Sequence, residues 1–417
     1  MKIRIKNTTK VSFDGLVMFF ALLSISSFAL LEHVSIPIPA FSAVKLPLLY
    51  VGGVCLLTRV NLFLRNYKKV KYFYVLAALF TLCALLLLSA YGNRNPSIGS
   101  NPMHSTLRLL LYLVELFLLA IWISEAGKCK YAINFLFWYV LILVVVTDFL
   151  FLSRIIVFTS GQYENYLIGT KFSVAYMHMN LLTLWFIRNN LRLYKEGRSK
   201  RFVLLASLFL LVISWRINCM TGVIGCLILG YWFMTMNMPL QRRTIPFASP
   251  VILWCFLLAS LVFPFVAERI VSIPIVSAIV ENVLDRDATL TGRLAIFRTF
   301  GEKMGGHWLW GYGYGNGNTA AVRLFQCANA QNAQLQWILQ AGLPVAFMVD
   351  VLITIVIKQL SRSSRKRQIM PLAILIYVYI ILGMVETTFS MSFLLWLACI
   401  FMQVNEKAPV DRTYQPV

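Results

Sequence analysis

The sequence predicts an all-α fold, a polytopic integral membrane helical bundle of about twelve transmembrane helices with one large extracytoplasmic loop containing short helices. Three observations carry this. First, 59% of residues are hydrophobic, 13% are charged and the mean hydropathy is +0.74, whereas a water-soluble domain is about half apolar and a quarter charged. Second, the charges lie between long apolar runs, and each run approaches the ~20 residues needed to cross ~30 Å of hydrocarbon. Third, the runs are continuous and lack the polar/apolar alternation of barrel strands. Their backbone polar groups are therefore satisfied within helices.

The N-terminal segment is basic (Lys2, Arg4, Lys6, Lys10) and leads into an apolar run from about Val11. That run is too long for a signal sequence and no A-x-A site follows, so it reads as a retained first span. Spans follow near 12–31, 42–58, 73–90, 107–124, 132–153, 172–187, 202–215, 219–236, 248–266, 333–357, 370–385 and 388–403. With the first end inside, the inner segments hold 26 of the 38 Lys and Arg residues. Every inner loop is basic, as cytoplasmic loops should be. This places both termini in the cytoplasm and makes 1–417 one transmembrane domain.

The one long outer segment is 267–332, between the ninth and tenth spans; a loop of that length is usually functional or structured. Ile270 to Leu284 is apolar enough to lie on a membrane surface, with Pro274 bending it. Thr289 or Thr291 then caps a short helix, Gly292 to Met304, with Leu294, Phe297 and Phe300 on one face. Gly305-Gly306 ends it, and Gly311-Tyr-Gly-Tyr-Gly-Asn-Gly-Asn318 is turn-rich.

Some function classes drop out. The net charge of +22 is spread over short inter-helix segments and forms no single basic face, so no nucleic-acid partner is indicated. The eight cysteines sit mostly in apolar runs and form no C-x-x-C pair, so no zinc site or disulfide framework is expected. Aspartates do not cluster, and neither metal nor cofactor is called for.

Candidate chemistry lies in the outer residues that the charge asymmetry leaves unexplained. Arg216 ends the seventh span and reads either as an interfacial anchor or as an anion ligand facing an outer cavity. Arg293 opens the loop helix beside its free N–H groups, with Arg298 about a turn and a half on. Two guanidiniums at a helix N-terminus suit a diphosphate. The glycine run lacks G-x-G-x-x-G spacing; its Tyr312 and Tyr314 read either as part of a plain turn or as flat faces for sugar rings. The amides Asn329, Gln331, Asn332 and Gln336 enter the tenth span and read as substrate-facing.

These segments together resemble the O-antigen ligase and bacterial polysaccharide polymerase superfamily, integral membrane glycosyltransferases that use undecaprenyl-diphosphate-linked sugars. Thr291-Gly-Arg293, an amphipathic helix and His307-Trp-Leu-Trp-Gly-Tyr-Gly-Tyr-Gly-Asn316 follow that family's S/T-G-R … h-P-l-l-G-x-G-x-G pattern. Asn329-Ala-Gln-Asn332, Leu335-Gln336 and Gly342-Leu-Pro344 occupy its H-x-H-N … L-Q … G-L-x-G positions. Cys219-Met-Thr-Gly-Val-Ile-Gly225 is similar to its S-R-T-G segment. About 120 residues carry these signals, and the rest matches as a hydropathy pattern. Two departures stand out. Met220 replaces a common arginine, with Arg216 one turn earlier, and Asn329 and Gln331 replace the histidines. An amide orients a hydroxyl but does not take its proton, which leaves His307, Asp285, Asp287 and Glu281 as base candidates.

The resemblance implies a metal-independent glycosyltransferase at the outer face of the bacterial cytoplasmic membrane. It would polymerise lipid-linked repeats into O-antigen, capsule or exopolysaccharide, with Arg293, Arg216 and His307 as catalytic residues. The lipid-linked oligosaccharide is then both donor and acceptor, and a flippase and a chain-length regulator are further expected partners. One alternative is an O-antigen ligase with a different acceptor, such as lipid A-core. The other is a flippase or transporter, which the absence of an internal repeat disfavours.

Overall fold

A computed structural model describes residues 13–31, 41–153, 158–160, 163–193, 198–235, 245–278, 281 and 292–407. The helices are α1 (Phe13–Leu30), α2 (Phe41–Leu57), α3 (Val60–Asn66), α4 (Val70–Gly92), α5 (Met103–Glu125), α6 (Cys129–Leu152), α7 (Lys171–Leu193), α8 (Arg198–Arg216) and α9 (Met220–Thr235). After them come α10 (Pro250–Val271), α11 (Pro274–Ala278), α12 (Arg293–Met304), α13 (Gly317–Phe325), α14 (Ala333–Ala341), α15 (Leu343–Arg362), α16 (Lys366–Leu382) and α17 (Met391–Val404). The all-α expectation holds but for a small antiparallel ribbon. Its strands β1 (Phe158–Ser160), β2 (Tyr163–Tyr166) and β3 (Gly169–Thr170) pair in that order, with Thr159 opposite Glu164 and Asn165 opposite Thr170.

Each predicted span falls on a helix, but the lengths differ from the expectation. Among the described residues α1, α4, α5, α6, α10 and α15 are long and apolar enough to cross a membrane. The pair α2 and α3, bent by 60° at Thr58–Arg59, makes a seventh if it is one span, and α8, α9 and α17 are shorter apolar helices. The tenth predicted span is two helices. Gly342, at φ +89°, separates α14 from α15, and Pro344 sits in the first turn beyond it. A positive φ followed by proline stops one helix and starts another.

Apolar pattern explains the packing. Helix α16 is hydrophobic all round and buried almost throughout, as a helix enclosed by others must be. It contacts α7, α9, α10 and α17. Helix α17, also largely buried, fits against α1, α5 and α15. In α5, Glu115 is 2% exposed, and neither of its carboxyl oxygens has a hydrogen-bond partner among the described residues. They lie against α2, where a Cβ at Gly53 would stand 2.6 Å from Oε1 and one at Gly52 2.9 Å from Oε2. Between α6 and α7, His178 Nε2 lies 3.0 Å from Asp148 Oδ2.

Segments read as inner loops gather at one end of the bundle. Glu125 at the end of α5 receives Lys69 and Lys71, each at 3.1 Å, and Lys407. Tyr72 donates to the same carboxylate at 2.7 Å. Arg365 pairs with Glu406, and Arg59 with Asp14. The opposite end carries residues 93–102, 292–332 and 383–390.

The predicted loop helix is present as α12, with Leu294, Ile296, Phe297, Phe300 and Met304 buried on one face. Gly292, at φ +83°, holds its cap position. Thr289, Thr291, Asp285 and Asp287 lie outside the described residues. Where a long surface stretch was expected from Ile270, α10 runs on to Val271 and the short α11 follows.

Candidate active site

The site is built where α12, the polar approach to α14 and the α16–α17 turn meet. Arg293 begins α12, so the helix start aims its side chain back across the loop. Its Nε donates to Gln331 Oε1 at 3.0 Å and its terminal nitrogen to Glu386. The Arg293 side chain is 19% exposed and that of Glu386 6%. Gln331 adopts φ +53°, with its backbone N–H held by Asn329 Oδ1 at 2.9 Å. This short-range turn fixes the direction of the Gln331 amide.

Glu386 is the residue that the sequence reading missed. It sits between helices, on the α16–α17 turn, and its partner Arg293 is 93 positions away. Burial pushes its carboxyl up to about 7, while the nearby Arg293 and Lys171 charges pull it down. It is also within electrostatic reach of Cys219 at the start of α9 and Tyr176 of α7. The segments of Arg293 and Cys219 therefore approach one carboxyl, and Gln331 meets it through Arg293.

Other candidates are placed differently. Arg216 is exposed at the end of α8 and takes no partner among the described residues. Arg298 is engaged by Glu268 of α10, with Nε 2.7 Å from Oε2. His307 Nδ1 lies 3.2 Å from Gly311 O, and its ring stacks on Tyr312 at 4.1 Å. Tyr312 is buried and donates to Lys303 O at 3.2 Å, whereas Tyr314, half-buried, stacks on Trp337 at 6.0 Å. Glu281 is exposed and accepts from Ser277 at 3.3 Å.

The amide cluster divides. Asn332, fully buried, caps α14 by accepting from Leu335 N at 2.9 Å. Its amide donates to Ser260 O at 3.0 Å and Met384 O at 3.1 Å. Gln336 accepts from Ala330 N at 2.8 Å and donates to Asn318 at 3.4 Å. Both are occupied in holding the loop, and Asn329 supports Gln331. Nearby, Gln334 Nε2 lies 2.9 Å from each oxygen of Asp350 and braces α14 against α15 across the Gly342 break.

The glycine run is a packed strap. Added Cβ atoms at Gly311, Gly313 and Gly315 would lie 2.6 Å from Ala341 N, 2.5 Å from Pro102 Cγ and 2.6 Å from Ser105 respectively. All three glycines have positive φ. Alternation lets the chain thread between the end of α14 and the start of α5.

No protein-family model matches the chain, and no curated protein and no solved structure matches it. Among the described residues no group of three or more His, Cys, Asp or Glu side chains could hold a metal ion.

Proposed function

We propose that this protein is a membrane glycosyltransferase that polymerises undecaprenyl-diphosphate-linked oligosaccharide repeats at the outer face of the bacterial cytoplasmic membrane. The proposed topology has twelve spans and both termini in the cytoplasm. The observation that carries the reading is the contact of Arg293 with Gln331 and Glu386, which joins motif segments far apart in sequence around one guanidinium.

In the proposed reaction an acceptor hydroxyl attacks the anomeric carbon of the growing chain. The bond from that carbon to the diphosphate oxygen breaks, and undecaprenyl diphosphate leaves with the electron pair. Arg293 exchanges its carboxylate for the diphosphate, whose developing charge a preorganised bidentate guanidinium stabilises. Glu386, released from that pair, takes the hydroxyl proton; burial raises its affinity for that proton above an ordinary carboxylate's, as a general base requires. Gln331 orients the sugar hydroxyls.

The test is chain extension by purified protein given only lipid-linked repeat units, with a chelator present. A ladder of longer lipid-linked oligosaccharides is expected. Absence of both ladder and released undecaprenyl diphosphate, with folded protein and its authentic repeat, refutes the reading. Activity only with lipid A-core added would make it a ligase, and movement without lengthening a flippase.

A further inference from the structure

Away from the Arg293 centre, a cavity of about 530 Å³ lies between α2 and the first turns of α5, within the ~300–1,000 Å³ range of ligand sites. Among the described residues it is lined by Tyr50, Asn101, Met103, His104, Arg108 and the leucines Leu107 and Leu111. Tyr50 and Leu107 are each 52% exposed on helices built for a bilayer, so the apolar wall of the cavity faces lipid.

Among the described residues, donors predominate in its polar groups. Arg108 Nε donates to His104 Nε2 at 3.1 Å, which fixes the guanidinium and leaves its two terminal nitrogens without a partner among the described residues. Asn101 Oδ1 is taken by Met103 N at 2.9 Å, leaving its NH₂ as a donor. Tyr50 adds a hydroxyl, and among the described residues no carboxylate lines the space. Leu107 and Leu111, on the same side of α5, continue the cavity as hydrocarbon. An oriented guanidinium above an apolar wall matches a tetrahedral anion on a lipid tail.

Its neighbours matter too. The α5 turn that carries His104 and Arg108 also packs against the glycine strap through Pro102 and Ser105, so the cavity shares that turn with the outer loop that carries Arg293. We propose that the α2–α5 cavity binds a lipid with a phosphate head group, Arg108 being the phosphate ligand. This deepens the polymerase reading, which needs two lipid-linked substrates, and rests on that reading for the identity of the lipid.

Binding, independent of turnover, tests it. Full-length protein in detergent is titrated with undecaprenyl monophosphate, dioleoyl phosphatidic acid and dioleoyl phosphatidylcholine, with bound lipid read by native mass spectrometry. Both phosphomonoester lipids should bind about tenfold more tightly than the zwitterionic lipid, and Arg108→Gln should remove most of that preference. Arg108→Lys should keep part of it, and Leu107→Trp, which fills the apolar wall, should weaken all three lipids. Tighter binding of the isoprenoid phosphate names a substrate lipid, and equal binding of the two phosphates names a general lipid-phosphate site; both support the proposal. Unchanged preference in Arg108→Gln, or no preference in the wild type, overturns it. Chain extension persisting without phosphate-lipid binding would sink this inference alone, and binding without extension would sink the polymerase reading alone.

Discussion

The Arg293 guanidinium bridges Gln331, at 3.0 Å, and Glu386, so one side chain ties the loop helix to two other chain segments. Lysine keeps the charge but cannot hold Gln331 and a phosphate in one plane. Arg293→Ala should abolish long-chain product and Arg293→Lys should lower it by at least about tenfold, with protein level retained. Normal chain length in the alanine variant would remove Arg293 from the mechanism.

Glu386 predicts a pH dependence of defined sign. Its carboxyl rises from an ordinary 4.5 to about 7 on folding, so the folded state holds this proton more tightly than the unfolded chain does. The associated stability is complete below pH 4.5 and is lost as pH rises through 7, by roughly 3 kcal/mol in all. Glu386→Gln should therefore melt higher than wild type at pH 8, and that advantage should shrink steadily toward pH 4.5. Parallel melting curves across this range would contradict the assignment. Chain extension should be lost in the same variant at every pH.

Gln331 and Asn332 are adjacent but should fail differently. Asn332→Ala removes a helix cap and two donors to buried carbonyls, a loss of about 2–4 kcal/mol, visible as a lower melting temperature. Gln331→Ala should leave melting nearly unchanged and shorten the product ladder. An unchanged ladder would reduce Gln331 to a loop contact.

The Glu115 carboxyl against the α2 glycines gives a test of packing. Gly53→Ala places a methyl group 2.6 Å from Glu115 Oε1 and should cost about 1–3 kcal/mol. Adding Glu115→Ala opens the space, so the double variant should be more stable than the sum of the single losses by about 1 kcal/mol or more. Simple additivity would show that the two side chains do not meet.

Much of the fold was legible because lipid demands helices, and long apolar runs can scarcely be anything else. The break at Gly342 was written as Gly342-Leu-Pro344 yet lay inside an apolar stretch, and hydropathy alone hides such a stop. Asn332 ahead of Ala333 was a readable cap signal that the surrounding amides masked. Arg293 stood out as a cation that the charge asymmetry left over. Glu386 did not, because a single acid in a short turn looks like any surface charge until the fold brings its partner to it from 93 residues away.

The last helix has a consequence for biosynthesis. Helix α17 seats against α1 and α5, Tyr112 of α5 donates to Met391 O at 2.8 Å, and Lys407 closes on Glu125 beside the backbone of Ser124. The first helices thus enter the bilayer long before the element that covers them has been translated. Until that element follows, the groove they leave must be filled by lipid or shielded by a membrane chaperone. A stop codon shortly before Met391 would leave the early helices inserted but unsealed.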